Sequence, residues 1–150
     1  MPTDLLLAIA HHLLIFALAA VLVAEMILVR PQMSTADALT AGRIDIAFGV
    51  LAGLILIVGF GRVYFGLKGP DYYWANGFFH AKLGAFLLVG ILSIWPTLRF
   101  IAWRVAIRRD PAFLPPSGEV EKIRRIIHLE LVVFFLIPVF AALMARGTGS

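Results

Sequence analysis

The chain has 150 residues, of which 61% are hydrophobic, a formal net charge of +4 and no cysteine. Soluble domains are only about half apolar, so this composition indicates a membrane protein, and the length suits one bundle rather than two domains. The lack of cysteine excludes disulfides, thiolate metal sites, iron–sulfur clusters and cysteine nucleophiles. The basic charge does not indicate nucleic-acid binding, because Lys and Arg in a membrane protein mainly report topology.

Four segments are apolar and long enough to cross a bilayer, which takes about 20 helical residues. They are Leu5–Val29, Ile44–Tyr64, Phe78–Ile101 and Ile123–Met144. The first has no basic residues before it, unlike a signal peptide, and is predicted to be a retained helix. We therefore predict an all-α integral membrane four-helix bundle, up-down-up-down, forming a single transmembrane domain over residues 1–150.

The connectors between the spans are polar or rich in proline and glycine. A polar connector is predicted from Pro31 to Gly42, and a turn is predicted within 68–76, where Gly69-Pro70-Asp71 is a strong turn signal. The third connector, 108–121, is long, and an interfacial helical extension through Trp103 and Arg108 is predicted before it.

Lys and Arg are distributed unequally between the two sides of the predicted bundle. Nine of the 13 lie around the first and third connectors, and four lie on the other side. The positive-inside rule then places these connectors in the cytoplasm and both termini on the outer, periplasmic side of a bacterial inner membrane. The nine are Arg30, Arg43, Arg99, Arg104, Arg108, Arg109, Lys122, Arg124 and Arg125.

Histidines inside the spans mark candidate functional sites, because an ionisable ring in hydrocarbon is costly. His11 and His12 in the first span and His80 near the start of the third are predicted to lie in the outer half. First and third spans are diagonal in such a bundle, so a histidine from each could clamp a flat ligand between them. Haem fits this description, since its iron accepts axial histidines and its macrocycle fits an apolar slot.

The predicted haem site uses His12 and His80 as axial ligands. His12 is preferred to His11 because the residues on the same face of the helix as His12 are small, which leaves room for a macrocycle. His11 is kept as an alternative or supporting ligand. Gly84, one turn from His80, is predicted to admit a porphyrin edge. Three outer-side cations are predicted to meet the haem propionates: Arg62, Lys68 and Lys82.

A second polar group is predicted on the inner side of the bundle. It comprises Glu25 near the end of the first span, and His128 and Glu130 in the fourth. His128 and Glu130 point about 200° apart around their helix, so only one faces the bundle squarely. A buried Glu25 needs a partner, for which the candidates are His128, Arg99 and Arg43. The group is interpreted as an inter-helix polar clamp, or as a proton relay or a second metal or haem ligand set.

Several motifs carry a resemblance to known families. They are Leu-Ala-Ile-Ala-His11-His12, Arg62-Val-Tyr-Phe-Gly-Leu-Lys-Gly, Ser93-Ile-Trp-Pro-Thr-Leu-Arg99-Phe, Arg125-Ile-Ile-His128-Leu-Glu130 and Ala-Leu-Met-Ala-Arg146-Gly. Over nearly the whole chain they resemble a bacterial family of uncharacterised small four-helix inner-membrane proteins.

The layout is more distantly similar to the HemJ-type membrane protoporphyrinogen oxidases and to copper-resistance-D-like membrane proteins. The early histidines and His80-Ala-Lys82-Leu83 match the HemJ pattern, whereas its Asn-Glu pair and its tryptophan in the first helix are missing. The HemJ resemblance implies haem b binding through histidine ligands. The copper resemblance implies a metal site.

Three functions follow from these observations. The leading hypothesis is a haem b-binding membrane protein with a redox role, in electron transfer or in porphyrinogen or quinone oxidoreduction. The first alternative is a copper or other metal binding or transport module that uses His11, His12, His80 and Met26. The second alternative is a cofactor-free structural membrane subunit. A homodimer is a further candidate partner, because Gly49 and Gly53 form a small-xxx-small pair that suits close helix packing in the bundle or between copies.

Overall fold

The computed structural model describes residues 2–147, and over that range the protein is helical without strands. Its helices are α1 (Pro2–Leu28), α2 (Thr35–Phe65), α3 (Gly69–Trp74), α4 (Gly77–Arg109) and α5 (Ser117–Ala145). All except α3 are long and apolar enough to cross a membrane. The all-α membrane fold is therefore confirmed, and each predicted span matches one long helix.

The first connector is shorter than predicted, because α2 begins at Thr35 and not after Gly42. Ser34 and Asp37 form a capping box, in which Asp37 N donates to Ser34 Oγ and Ser34 N donates to Asp37 Oδ2, each at 3.1 Å. These bonds satisfy amide groups that a helix start otherwise leaves without partners. The polarity of residues 35–42 therefore belongs to the first turns of a helix and not to a loop.

The region predicted as a turn before the third span contains the short helix α3. Gly69 has a positive φ of 72°, which the turn out of Lys68 requires, and Pro70 occupies the first turn of α3. Asn76 then caps α4, since its side-chain oxygen accepts a bond from Phe78 N at 2.9 Å. At its other end α4 continues to Arg109, which confirms the predicted helical extension through Trp103 and Arg108.

The four long helices pack as an antiparallel bundle. Helix α1 packs against α2 and α5, and α4 packs against the same two helices, while α1 and α4 make no contact within residues 2–147. The predicted diagonal relation of the first and third spans is therefore confirmed. We call the end where Asp4 Oδ1 accepts a bond from Leu67 N the α3 end, and the opposite end, where Thr35 Oγ1 donates to Phe113 O, the loop end.

Large apolar side chains lie on both the interior and the outer surface of the bundle. Interior positions such as Leu18, Phe100 and Phe134 are buried. Phe16 and Phe135, on the outer faces of α1 and α5, are exposed. An apolar exterior of this kind suits contact with lipid, in agreement with helices that are long enough to cross a bilayer. Gly49 and Gly53 also face outward with open space around them, so they do not serve packing inside the bundle, and the homodimer stays a prediction.

A polar clamp joins α4 to α5 at the loop end. Glu119 accepts bonds from Arg99 Nη1 at 3.0 Å and from Trp103 Nε1 at 2.7 Å. Trp103 is 2% exposed, so its indole N–H needs this partner. Arg99 is therefore occupied by Glu119 and is not a counterion for Glu25.

Candidate functional site

A cleft opens between the long helices in the half of the bundle nearest the α3 end. Its cavity volume is about 80 Å³, and the empty space around it reaches about 670 Å³ when the open side is counted. Most of its lining is apolar and comes from all four long helices, including Ile15, Ile55, Phe60, Phe86, Phe134 and Ile137. Its charged or ionisable lining, apart from a tyrosine, comprises His11, Arg62 and Lys82.

The His11 ring lies in the cleft directly beside the backbone of α2. A Cβ added at Gly59 would lie 3.2 Å from His11 Cε1, so the missing side chain of this glycine makes room for the ring. His11 Nδ1 is buried and has no hydrogen-bond partner among the described residues. A buried ring nitrogen without a partner is costly, and this edge of the His11 ring faces Gly59 of α2.

Two cations share the cleft with His11 and lie within electrostatic range of its ring. Arg62, in the last turn of α2, has a buried Nε without a hydrogen-bond partner in residues 2–147. The Lys82 ammonium lies 5.3 Å from the centre of the Phe79 ring and 5.9 Å from that of Tyr73. Neither forms a salt bridge in the described part of the chain, so the cleft combines apolar walls with positive charge.

His12, which the sequence analysis prefers to His11 as the ligand, does not line the cleft. Its side chain is exposed on the outer surface of α1, where Nδ1 bonds the carbonyl oxygen of Ala8 at 2.7 Å. The two histidine rings are perpendicular with centroids 6.4 Å apart. Consecutive residues diverge by about 100° on a helix, and His11 is the one on the interior stripe that continues through Leu18 and Glu25.

Three further residues of the predicted site, His80, Gly84 and Lys68, also lie outside the cleft. His80 is exposed, and its Nε2 bonds the carbonyl oxygen of Trp74 at 3.0 Å. Gly84 is exposed with open space around it, and Lys68 lies over the Tyr72 ring at 4.4 Å. The structure thus brings together His11, Arg62 and Lys82 of the predicted set, and it does not pair a histidine of α1 with one of α4.

On the loop-end side of the cleft, the predicted inner group is only partly assembled. Glu25 and Glu130 are buried in the bundle, whereas His128 is exposed and bonds the carbonyl oxygen of Arg124. Asp45 of α2 lies within electrostatic range of both glutamates, and Glu25 also lies within range of Glu130. Sequence reasoning missed Asp45, although a carboxylate inside the predicted second span was a visible signal.

No group of three or more His, Asp or Glu side chains in residues 2–147 is arranged to hold a metal ion. His11, His12 and His80, the histidines of the copper alternative, therefore do not form such a group with one another or with described acidic residues. Gly59 and the aromatic residues that line the cleft are further site residues that the sequence did not identify. A glycine in a helix indicates close packing, but it does not indicate where in the bundle that packing occurs.

Comparison with known proteins identifies the family. The sequence model of the family described as "Predicted membrane protein (DUF2214)" matches residues 3–149, so the chain belongs to this family. The resemblance to a family of small uncharacterised membrane proteins is thereby confirmed. No curated protein and no solved structure matches the chain.

Proposed function

We propose that this DUF2214 protein binds haem b in the cleft at the α3 end, where His11 would hold the iron, and that its role is redox. The observation that carries the proposal is that His11 lines an apolar cleft beside two cations that form no salt bridge with the described residues. A histidine, an apolar slot and nearby positive charge are the three features that a haem and its propionates require.

Each part of the cleft fits one part of the cofactor. The apolar walls suit the macrocycle, and Arg62 and Lys82 suit the two propionates as charge-assisted donors. When bound, haem supplies one-electron chemistry. The residues of the cleft would hold the haem, exclude water from it and determine the polarity of its environment.

The proposal assigns one protein ligand instead of the two that the sequence suggested. His12, His80 and His128 are exposed, and each uses a ring nitrogen to bond a backbone carbonyl. A quinone or a porphyrin is the proposed class of redox partner, since either fits a membrane-embedded apolar cleft. The unequal distribution of Lys and Arg supports insertion in a bacterial inner membrane with the α3 end outside.

The visible spectrum of the protein tests the proposal. Protein purified in detergent should show a Soret band that moves on reduction with dithionite, or should gain one on titration with haemin. Metal analysis of the same sample should find iron in proportion to the band. A colourless protein that takes up no added haemin would overturn the proposal, and stoichiometric copper without haem would favour the metal-binding alternative.

Removing the cleft cations should weaken haem binding. Arg62→Met and Lys82→Met are each expected to lower the affinity about tenfold, or about 1.4 kcal/mol, because a propionate loses a charged donor. Haemin titration measures the change. Lys68→Met is the matched control, because Lys68 lies outside the cleft on the Tyr72 ring. An equal loss from Lys68→Met would argue for a nonspecific charge effect.

Filling the cleft beside His11 should also prevent binding. Gly59→Leu is expected to displace the His11 ring and reduce haem uptake by more than about tenfold, because its side chain would enter space that the ring occupies. Gly53→Leu on the same helix is the control, since Gly53 faces outward into open space. Normal haem uptake by Gly59→Leu would place the ligand elsewhere.

A further inference from the structure

Carboxylates from three helices are buried together in the bundle interior, separate from the cleft. Glu25 of α1 is 3% exposed, Asp45 of α2 is 6% exposed and Glu130 of α5 is 1% exposed. Glu25 lies within electrostatic range of the other two, and Glu130 lies within range of Asp45. We call these three residues the carboxylate cluster.

Two oxygens of the carboxylate cluster are buried without a hydrogen-bond donor among the described residues. Glu25 Oε1 and Glu130 Oε1 are fully buried and accept no hydrogen bond from the described residues. Asp45 Oδ1 accepts one bond, from Thr97 Oγ1 of α4 at 2.8 Å. Two ionised carboxylates with unsatisfied buried oxygens would be strongly destabilising in such a place.

Bases near the loop end do not neutralise the cluster. Arg30 pairs with Asp37, Arg99 with Glu119 and Arg125 with Glu121. Arg124 donates to Val29 O, and Lys122 lies over the Trp95 ring. The remaining bases near this end are exposed: Arg43, Arg104, Arg108, Arg109 and His128. Nor do the three carboxylates form a metal-binding arrangement in residues 2–147. What remains to neutralise them is protons.

We propose that Glu25, Asp45 and Glu130 form a proton-binding site in the interior of the bundle. Protonation removes the charge and turns a carboxyl oxygen into an O–H donor, which a neighbouring carboxyl oxygen can accept. Thr97 contributes one further donor to Asp45 and fixes its orientation.

The proton-binding site does not depend on the haem proposal. Glu25 lies 14 residues after His11, which is about 21 Å along α1. Leu18 and Leu22 lie between them on the same stripe and are fully buried. An apolar layer therefore separates the two sites, and either can exist without the other.

Infrared spectroscopy of the detergent-purified full chain tests this inference. A protonated carboxyl has a carbonyl stretch distinct from that of a carboxylate, and the band shifts when the proton is exchanged for deuterium. The wild type at neutral pH is expected to show this band. Glu25→Gln, Glu130→Gln and Asp45→Asn should each reduce it, and the Glu25→Gln/Glu130→Gln pair should remove most of it.

Glu121→Gln is the matched control, because Glu121 is exposed and paired with Arg125, and the band should not change in this variant. Absence of the band at neutral pH in the wild type, or a band that none of the cluster substitutions reduces, would overturn the inference. So would loss of the band on replacing choline chloride by sodium chloride at constant pH, which would identify a cation site instead. If the double variant fails to fold, the wild type and the single variants still decide between these outcomes.

Discussion

His11→Ala is expected to abolish the Soret band of the haem-loaded protein. The substitution removes the only histidine that lines the cleft among the described residues, and with it the proposed ligand to iron. Loss of a residue that merely orients a metal ligand costs about 10- to 100-fold in affinity, so loss of the ligand should cost more than about 100-fold. Haemin titration followed at the Soret maximum measures the effect.

The other histidines of the same region are the controls for this experiment. His12→Ala and His80→Ala should leave the band and the affinity within about twofold of the wild type, because both side chains are exposed and bond backbone carbonyls. Circular dichroism should confirm that all three variants keep their helix content. A band that survives His11→Ala and disappears in His12→Ala would restore the ligand that the sequence first suggested.

Trp103→Ala is expected to have the largest effect on stability. It empties a buried position at the contact of α4 with α5 and removes the donor to Glu119, so the free energy of unfolding should fall by about 3–5 kcal/mol. Unfolding in detergent, by heat or by denaturant and followed by circular dichroism, measures the change. Weakening the α4–α5 contact should also lower the yield of folded protein.

Two further tryptophan variants separate packing from hydrogen bonding. Trp103→Phe keeps most of the ring volume but loses the N–H, and should cost about 1–3 kcal/mol because Glu119 Oε2 loses its donor. Trp74→Ala should cost less than about 1 kcal/mol, since this ring is exposed. If Trp103→Ala destabilised the protein no more than Trp74→Ala, the loop-end clamp would not contribute to the stability of the bundle.

The fold was predictable because span length is set by a single physical requirement. A helix must bury its backbone groups across about 30 Å of hydrocarbon, and four runs in this chain meet that length. The helix ends were less predictable. Ser34 and Asp37 begin α2 through mutual bonds that a polar stretch does not reveal unless the capping spacing is recognised.

The candidate site was harder to predict because both faces of a membrane helix are apolar. In a soluble helix, polarity marks the outer face, but α1 is apolar all round, so its pattern does not tell which face meets lipid. His11 and His12 could therefore not be separated by the composition of the helix faces on which they lie. The position of Glu25, 14 residues after His11, was the better signal, because a carboxylate avoids lipid.

The amino-acid sequence alone determined the membrane class, the four spans, their diagonal and neighbouring relations, and the unequal placement of Lys and Arg. The length of an apolar segment and the positions of charged residues follow directly from the sequence and do not depend on how the helices pack. Only the tertiary structure decided that His11 joins Arg62 and Lys82, that His12 and His80 face outward, and that Asp45 meets Glu25 and Glu130. Each of these placements depends on how one helix is rotated relative to its neighbours. Side-chain packing sets that rotation, whereas the hydrophobic periodicity of a helix that is apolar on all faces does not determine it.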